Sequence, residues 1–83
     1  MGTDEIKRMI EAGLDGSTAE VTGDGTHFEA TVVCSAFEGK NPLARHRLVY
    51  ATLGDRVGST IHALSIRAFT PGEWKLQRGR TLV

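Results

Sequence analysis

The sequence predicts an α+β domain in which helices cover one face of a three-stranded mixed sheet. Two segments carry apolar residues at helical spacing, three alternate in the two-residue period of a strand, and a capping motif precedes a further helix. Their order along the chain is helix, strand, strand, helix, strand, helix. A chain of 83 residues has room for a single core, so we expect one domain over residues 1–83.

The first helix is predicted over residues 4–12. Ile6, Met9 and Ile10 recur at the spacing of one helical face. Thr3 stands where a side-chain oxygen can accept a hydrogen bond from the first turn. We therefore expect Thr3 to cap this helix.

Two strands follow, over residues 18–22 and 27–35. The turn between them, at 23–25, reads Gly-Asp-Gly and can supply the positive φ angles of a tight hairpin. The second strand alternates strictly, which predicts a buried face made of Phe28, Ala30, Val32 and Cys34. The two strands should form an antiparallel hairpin.

The second helix is predicted over residues 42–53. Asn41 precedes it as a cap, and Pro42 fills the first helical position, where an N–H is not needed. The expected buried stripe consists of Leu43, Val49, Leu53 and Val57.

The third strand is predicted over residues 61–68 and is followed by a short last helix. Thr70, Pro71 and Glu73 form a capping box with a proline at the first helical position. Trp74 is the apolar anchor of this helix. We expect a short C-terminal tail over residues 77–83.

The second strand, second helix and third strand form a crossover unit, which makes the two strands parallel. Parallel strands begin at the same end of a sheet. His27 and His62, each near the start of one of these strands, should therefore lie near one edge.

Charge and cysteine content restrict the function classes. Ten Lys and Arg residues balance ten Asp and Glu residues, which disfavours binding dominated by phosphate neutralisation. The single cysteine, Cys34, cannot form an internal disulfide and is expected to be a small buried hydrophobe. The longest apolar run, Leu48 to Ala51, is too short for a membrane span or a signal peptide, so we expect a cytoplasmic protein.

Several stretches together resemble the BolA-like family over about residues 4–76. They are GDGTHF at 23–28, FEGK at 37–40, RHRLVY at 45–50, IHALSI at 61–66 and TPGEW at 70–74. The resemblance implies a fold similar to the class II KH domain. It also implies an adaptor that pairs with a monothiol glutaredoxin through a bridging 2Fe-2S cluster, in cluster trafficking or iron and redox regulation.

The resemblance also implies metal ligands. The family's cluster-binding histidine in the third strand matches His62, and the histidine version of its variable loop ligand matches His27. Glutaredoxin and glutathione would each add a thiolate. Imidazole can coordinate iron, and histidine in place of thiolate raises the reduction potential. Because two histidines cannot complete the coordination, the protein alone should be colourless.

The expected glutaredoxin contact surrounds the two histidines. Thr26 and Phe28 flank His27, and Ala63 follows His62. These three residues are the predicted partner-binding positions, and the isolated protein is expected to be a monomer or a weak homodimer.

Less specific roles remain open for each residue. His62 and His27 could be ordinary hydrogen-bonded or solvated histidines, and we expect a structural or surface role for His46. Glu29 can share a strand face with His27, but such a pair is common and does not indicate catalysis. The sequence contains no nucleophile triad, phosphate loop or Cys-x-x-Cys motif, so an enzyme is not expected.

The main alternative is a nucleic-acid-binding transcriptional regulator that uses Arg45, Arg47, Arg67 and Lys75. KH domains grip a nucleic acid backbone with a Gly-x-x-Gly loop. The corresponding segment, residues 37–42, reads FEGKNP, which lacks the second glycine and contains an acidic residue. A third possibility is a KH-like interaction module that binds a protein partner without metal.

Overall fold

A computed structural model describes residues 2–58, 61 and 63–81, with side chains up to residue 78. Its main elements are α1 (Thr3–Gly13), β1 (Thr18–Gly23), β2 (His27–Val33), α2 (Pro42–Leu53), β3 (Ala63–Phe69) and α3 (Pro71–Thr81). Short 3-10 turns occupy Ser35–Phe37 and Gly54–Arg56. The predicted α+β class and order of elements are confirmed. None of the helices in these described ranges is long and apolar enough to cross a membrane.

The sheet has the order β1-β2-β3 and is mixed. β1 pairs antiparallel with β2, which confirms the predicted hairpin. β2 pairs in parallel with β3, in a register that starts at His27 opposite Ala63 and ends at Val33 opposite Phe69. The predicted crossover is therefore confirmed, and β2 and β3 begin at the same end of the sheet.

The core lies between one face of the sheet and the helices α1 and α2. Both helices contribute buried side chains, as do β1 and β2 and the turn after β2. The buried members are Ile6, Ile10, Leu14, Ala19, Phe28, Ala30, Val32, Cys34, Phe37, Val49, Leu53 and Ile61. Cys34 is 1% exposed, which confirms the prediction that it packs as a small hydrophobe.

The third helix lies apart from this core, whereas the sequence predicts that the helices share one face of the sheet. Its Trp74 packs on Phe69, with ring centroids 5.3 Å apart. Phe69 pairs with Val33, and both have the strand parity opposite to Val32, which is buried in the core, and Ala68, which packs against it. The sequence pattern identifies the apolar anchor of a helix but does not select which face of the sheet the anchor meets.

Two predictions about helix ends and faces are wrong. Gly2, not Thr3, is the residue before α1, and no side chain caps this helix. Leu43 is 59% exposed instead of buried. Six residues separate Leu43 from Val49, which places their side chains about 120° apart around the helix, so only Val49 and Leu53 share the buried face.

Strand ends shift by one or two residues from the prediction. β2 ends at Val33, and the N–H of Cys34 donates to Phe69 at 3.0 Å before a 3-10 turn begins. Ile61, predicted within the third strand, forms an isolated bridge with Val57 ahead of β3. α3 extends to Thr81 and so includes part of the predicted tail.

The predicted caps of α2 and α3 are confirmed. The Oδ1 atom of Asn41 accepts from the N–H of Ala44 at 2.8 Å. At α3, the N–H of Glu73 donates to the Thr70 hydroxyl at 3.1 Å, and the N–H of Thr70 donates to the Glu73 carboxylate at 2.9 Å. This reciprocal pair is the capping box that the sequence indicated.

Candidate functional site

His27 is the first residue of β2 and is exposed on the face of the sheet opposite the core. It stands in a shallow depression of about 490 Å³ at the end of the sheet where β2 and β3 begin. The residues lining this depression are Thr22, Gly23, Asp24, His27, Phe28, Glu29, Ala63 and Ser65. The site is open enough for a second macromolecule to reach the imidazole.

Asp24 organises the turn that carries His27. Its Oδ1 atom accepts three hydrogen bonds, from the N–H and the hydroxyl of Thr26, both at 3.0 Å, and from the N–H of His27 at 2.9 Å. The His27 N–H is the main cause that lowers the pKa of Asp24 to about 2, and the two Thr26 groups add to it. Asp24 is therefore ionised at neutral pH.

Gly23 lets β1 pass closely beneath this turn. A Cβ atom at position 23 would collide with the carbonyl oxygen of His27 and would lie 2.6 Å from the Phe28 ring. Gly25, at the tip of the turn, has φ of 103°, a conformation that favours glycine. The turn geometry thus depends on two glycines as well as on Asp24.

Thr26 connects Asp24 to the histidine ring. Its Oγ1 atom lies 3.2 Å from Nδ1 of His27, within hydrogen-bond distance. Its carbonyl oxygen accepts from the N–H of Ala63 at 3.2 Å, which attaches the start of β3 to the turn. Thr26 and Ala63, both predicted as partner-binding residues, therefore lie beside His27.

His62, the other predicted ligand, lies outside the described residues. It precedes Ala63 in the sequence, and Ala63 is the register partner of His27. Among the described residues, no group of three or more His, Cys, Asp or Glu side chains is placed to hold a metal ion. The assignment of His62 as a ligand stays a prediction.

The Phe28 ring lies in the buried face predicted for β2 and is not exposed at the predicted partner-binding surface. Its side chain is 2% exposed and belongs to the core cluster. Strand alternation turns Phe28 inward when His27 faces outward. Phe28 therefore supports the site from below, and its ring is withdrawn from the surface that a partner would meet.

Sequence reasoning missed Asp24 as an organising residue. An aspartate in a glycine turn, two residues before a threonine and three before the histidine, is the pattern of a side chain that accepts from following backbone N–H groups. That signal was present in the Gly-Asp-Gly-Thr-His stretch. His46 lies half-buried on α2, consistent with its predicted structural or surface role.

The basic residues of the alternative prediction belong to three different elements, and one of them is bonded within the fold. Arg45 donates to both carboxylate oxygens of Glu73, at 2.6 and 3.1 Å, and its side chain is 13% exposed. Arg67 lies over the Phe69 ring, on the face of the sheet opposite α2. Arg47 on α2 and Lys75 on α3 are exposed. Arg45 is thus engaged within the fold, and the other three residues are distributed over separate elements.

Comparison with known proteins agrees with this architecture. A family model described as BolA-like protein matches residues 6–73. The solved structure of a bolA protein homologue from Coxiella burnetii superposes with a TM-score of 0.84 at 50% identity, covering 90% of this chain and 97% of that one. The acid stress protein IbaG of Escherichia coli K12 is 34% identical over 79 residues, which is 94% of each chain.

The chain belongs to the BolA-like family. Human BolA-like protein 1 is 50% identical over 60 residues, which is 72% of this chain and 44% of that protein, so the chain spans less than half the length of this relative. A Vibrio cholerae relative, 49% identical over 53 residues, covering 64% of this chain and 50% of that protein, is named DNA-binding transcriptional regulator BolA. The names of the two bacterial relatives are those of a regulator and a stress protein, not of enzymes.

Proposed function

We propose that this protein is an adaptor that pairs with a monothiol glutaredoxin and helps to hold a bridging 2Fe-2S cluster through His27 and His62. The single observation that carries the proposal is the position of His27. His27 is exposed and follows a turn that is held by side-chain hydrogen bonds of Asp24. It pairs with Ala63 in the β2–β3 register, and His62 is the residue before Ala63 in the sequence.

The chemistry of the site fits such a group. Imidazole nitrogen is an accepted ligand of iron in 2Fe-2S centres, where it replaces thiolate on one iron. A bound cluster would supply one-electron redox chemistry, with a potential raised by histidine ligation. A 2Fe-2S cluster takes four ligands from outside the cluster. The two histidines would supply two of them, and thiolates from glutaredoxin and glutathione would supply the other two.

The surroundings of His27 support access by a partner. The depression beside it is open to solvent, and its lining residues Thr22, Glu29 and Ser65 are exposed. The hydrogen bonds of Asp24 hold the backbone of the turn in one conformation. A partner would therefore meet a ligand that is already positioned, which lowers the entropic cost of association.

The test is co-expression with a monothiol glutaredoxin, followed by visible absorption and circular dichroism of the purified pair. We expect a cluster spectrum for the wild type and an altered or lost spectrum for His27→Ala and for His62→Ala. His46→Ala is the matched control, since it removes a histidine outside the site, and it should leave the spectrum unchanged. The proposal fails if no cluster forms, or if both His27→Ala and His62→Ala retain the wild-type spectrum.

The same experiment separates metal-independent docking from cluster sharing. If the two proteins associate without a cluster, and the complex survives His62→Ala with unchanged affinity, the protein is an interaction module that does not need metal. Under our proposal, association of the pair depends on glutathione and on His62.

A second candidate function is nucleic acid binding, favoured by the name of the Vibrio cholerae relative, DNA-binding transcriptional regulator BolA. Against it, Arg45 is bonded to Glu73, and Arg67 and Arg47 lie on different faces of the fold. Binding through phosphates would weaken steeply with salt and with Arg47→Ala and Lys75→Ala. Cluster sharing should be insensitive to both substitutions.

A further inference from the structure

The hydroxyl group of Thr26 lies between a carboxylate and an imidazole. Its Oγ1 atom is 3.0 Å from Oδ1 of Asp24 and 3.2 Å from Nδ1 of His27. A hydroxyl carries one proton and can donate one hydrogen bond. The hydroxyl proton of Thr26 can therefore be donated to Asp24 or to His27, but not to both.

The carboxylate is the stronger acceptor. The Oδ1 atom of Asp24 also accepts from the N–H groups of Thr26 and His27, and a carboxylate has no proton of its own to give. Hydrogen bonds to an ionised acceptor are roughly twice as strong as those between neutral groups. The Thr26 proton is thus directed at Asp24, and toward His27 the hydroxyl presents a lone pair.

We propose that Asp24, acting through the Thr26 hydroxyl, holds neutral His27 in the Nδ1–H tautomer and leaves the lone pair on Nε2. If Nδ1 were unprotonated, its lone pair would face the lone pair of Oγ1 across 3.2 Å. With the proton on Nδ1, the contact becomes a hydrogen bond from the ring to the hydroxyl. The chain Nδ1–H to Oγ1–H to carboxylate then has a donor at every step.

This arrangement has a consequence for metal binding that rests on the proposed function. A ligating histidine usually donates its other ring N–H to a carboxylate, carbonyl or water, which fixes the ring and raises ligand basicity. Here the donor side faces Thr26, so Nε2 is the nitrogen available to iron. Asp24 and Thr26 are positioning residues, since neither needs to touch the cluster.

The test reads the tautomer in the apo protein labelled with ¹⁵N in histidine. Long-range ¹H–¹⁵N correlations distinguish protonated from unprotonated ring nitrogens, and the spectra are recorded in alkaline buffer, in which the ¹⁵N shifts themselves verify that the ring is neutral. A neutral histidine in water favours the Nε2–H tautomer. We expect wild-type His27 to show the opposite preference.

Two variants at position 26 isolate the hydroxyl. Thr26→Val keeps the shape of the side chain and removes the hydroxyl, and it should shift the tautomer ratio of His27 toward Nε2–H by about two- to tenfold, the effect of one hydrogen bond. Thr26→Ser keeps the hydroxyl and should restore the wild-type ratio. His46 in the same samples is an internal control whose ratio should not change, and backbone amide spectra show whether each variant is folded.

The inference is overturned if folded wild-type protein has His27 mainly as the Nε2–H tautomer, or if Thr26→Val leaves the ratio unchanged. This measurement needs neither partner nor cluster. A tautomer result as expected, together with a cluster spectrum that survives both His27→Ala and His62→Ala, would refute the proposed function and leave the tautomer assignment standing. The opposite pair of results would refute only the tautomer assignment.

Discussion

The two ends of the sheet are built in different ways. At the end where α3 begins, which we call the junction (Phe37, Arg45, Phe69, Thr70, Glu73 and Trp74), the α2 side chain of Arg45 bonds to Glu73 of α3 and to the backbone of β3. The ring of Phe69 on β3 packs against Trp74 of α3. At the opposite end, which we call the rim (Asp24, Thr26, His27 and Ala63), the side-chain hydrogen bonds stay within one turn.

The two ends of the sheet differ in how far apart in the sequence their bonded residues lie. Arg45 bonds to Glu73 across 28 residues and to the carbonyl of Ala68 across 23 residues. The side-chain bonds of Asp24 reach only two or three residues along the chain. Long-range bonds fix one element against another, whereas local bonds orient a single residue. The junction therefore fixes α2, β3 and α3 against one another, whereas the rim orients an exposed imidazole.

The largest expected effect comes from truncating the buried ring of the junction. Phe37 is fully buried, and the guanidinium of Arg45 lies 5.9 Å from its ring centroid. Phe37→Ala should lower the free energy of unfolding by about 3–5 kcal/mol, through lost burial and the cavity left behind. Chemical denaturation measures this loss.

Leu43→Ala is the matched control for that experiment. Leu43 is a large apolar residue at the start of α2, but it is 59% exposed. Its truncation should change the free energy of unfolding by less than about 0.5 kcal/mol. Similar losses for both variants would contradict the core boundary described above.

The next largest effect is expected at the cap of α3. Thr70 is 4% exposed, and its hydroxyl accepts from the N–H of Glu73. Thr70→Val keeps the volume but removes the acceptor, and it should cost about 0.5–2 kcal/mol of stability. Thr70→Ser retains the hydroxyl and loses only the methyl group, so it should stay closer to wild type. A larger loss for Ser than for Val would mean that packing of the methyl group, not the cap, is what matters.

Lowering the pH should remove the stability that the Glu73 carboxylate contributes to the junction. The hydrogen bond from Arg45, followed by that from the Thr70 N–H, lowers the pKa of Glu73 from its ordinary 4.5 to about 2. Since the folded pKa lies below the unfolded one, this carboxylate contributes stability above about pH 4.5 and loses it as pH falls through about 2. Glu38 is the other acidic group that acts on Arg45.

Unfolding free energies of wild type and Glu73→Gln, measured from neutral pH downward, check this expectation. The difference between the two proteins should be constant above about pH 4.5 and should shrink as the wild-type carboxylate becomes protonated. The difference should also decrease with salt, because Glu73 is partly exposed. A difference that stays constant down to about pH 2 would contradict the ion pair.

The smallest effect on stability is expected at the rim. His27 is exposed and outside the core, so His27→Ala should change the free energy of unfolding by less than about 0.5 kcal/mol. Thermal or chemical denaturation of the isolated protein provides the value. A loss of more than about 1.5 kcal/mol would place His27 among the residues that hold the fold and would remove the contrast between the two ends of the sheet.

Much of the fold could be predicted from local pattern. The hairpin turn, the Asn41 and Thr70 caps and the limits of α2 follow from residue types that satisfy backbone groups within a few positions. Leu43 was misplaced because the four-residue spacing of Val49, Leu53 and Val57 does not extend back to it. The sequence correctly predicts Trp74 as the apolar anchor of α3. Trp74 contacts Phe69 on the outer face of the sheet, the face opposite the core, and strand periodicity alone does not predict which helix Phe69 meets.

The candidate site was predicted only in part. The motif resemblance indicated His27, and strand order indicated that β2 and β3 begin together. The Phe28 ring lies in the buried face that strand alternation predicts, so the ring itself is not available for the partner contact expected from its position next to His27. Asp24 was overlooked because its effect on His27 arises from three hydrogen bonds that converge on one oxygen atom.

The sequence by itself determined the order of helices and strands, the antiparallel and parallel pairings and the membership of the BolA-like family. These depend on periodicity, capping and motif spacing, all of which act over a few residues or through chain connectivity. Only the tertiary structure decided that Arg45 bonds to Glu73, that α3 contacts the outer face of the sheet, and that Thr26 mediates between Asp24 and His27. Those contacts depend on the positions and directions of atoms in space, which follow from how the elements pack, and no local pattern specifies that packing.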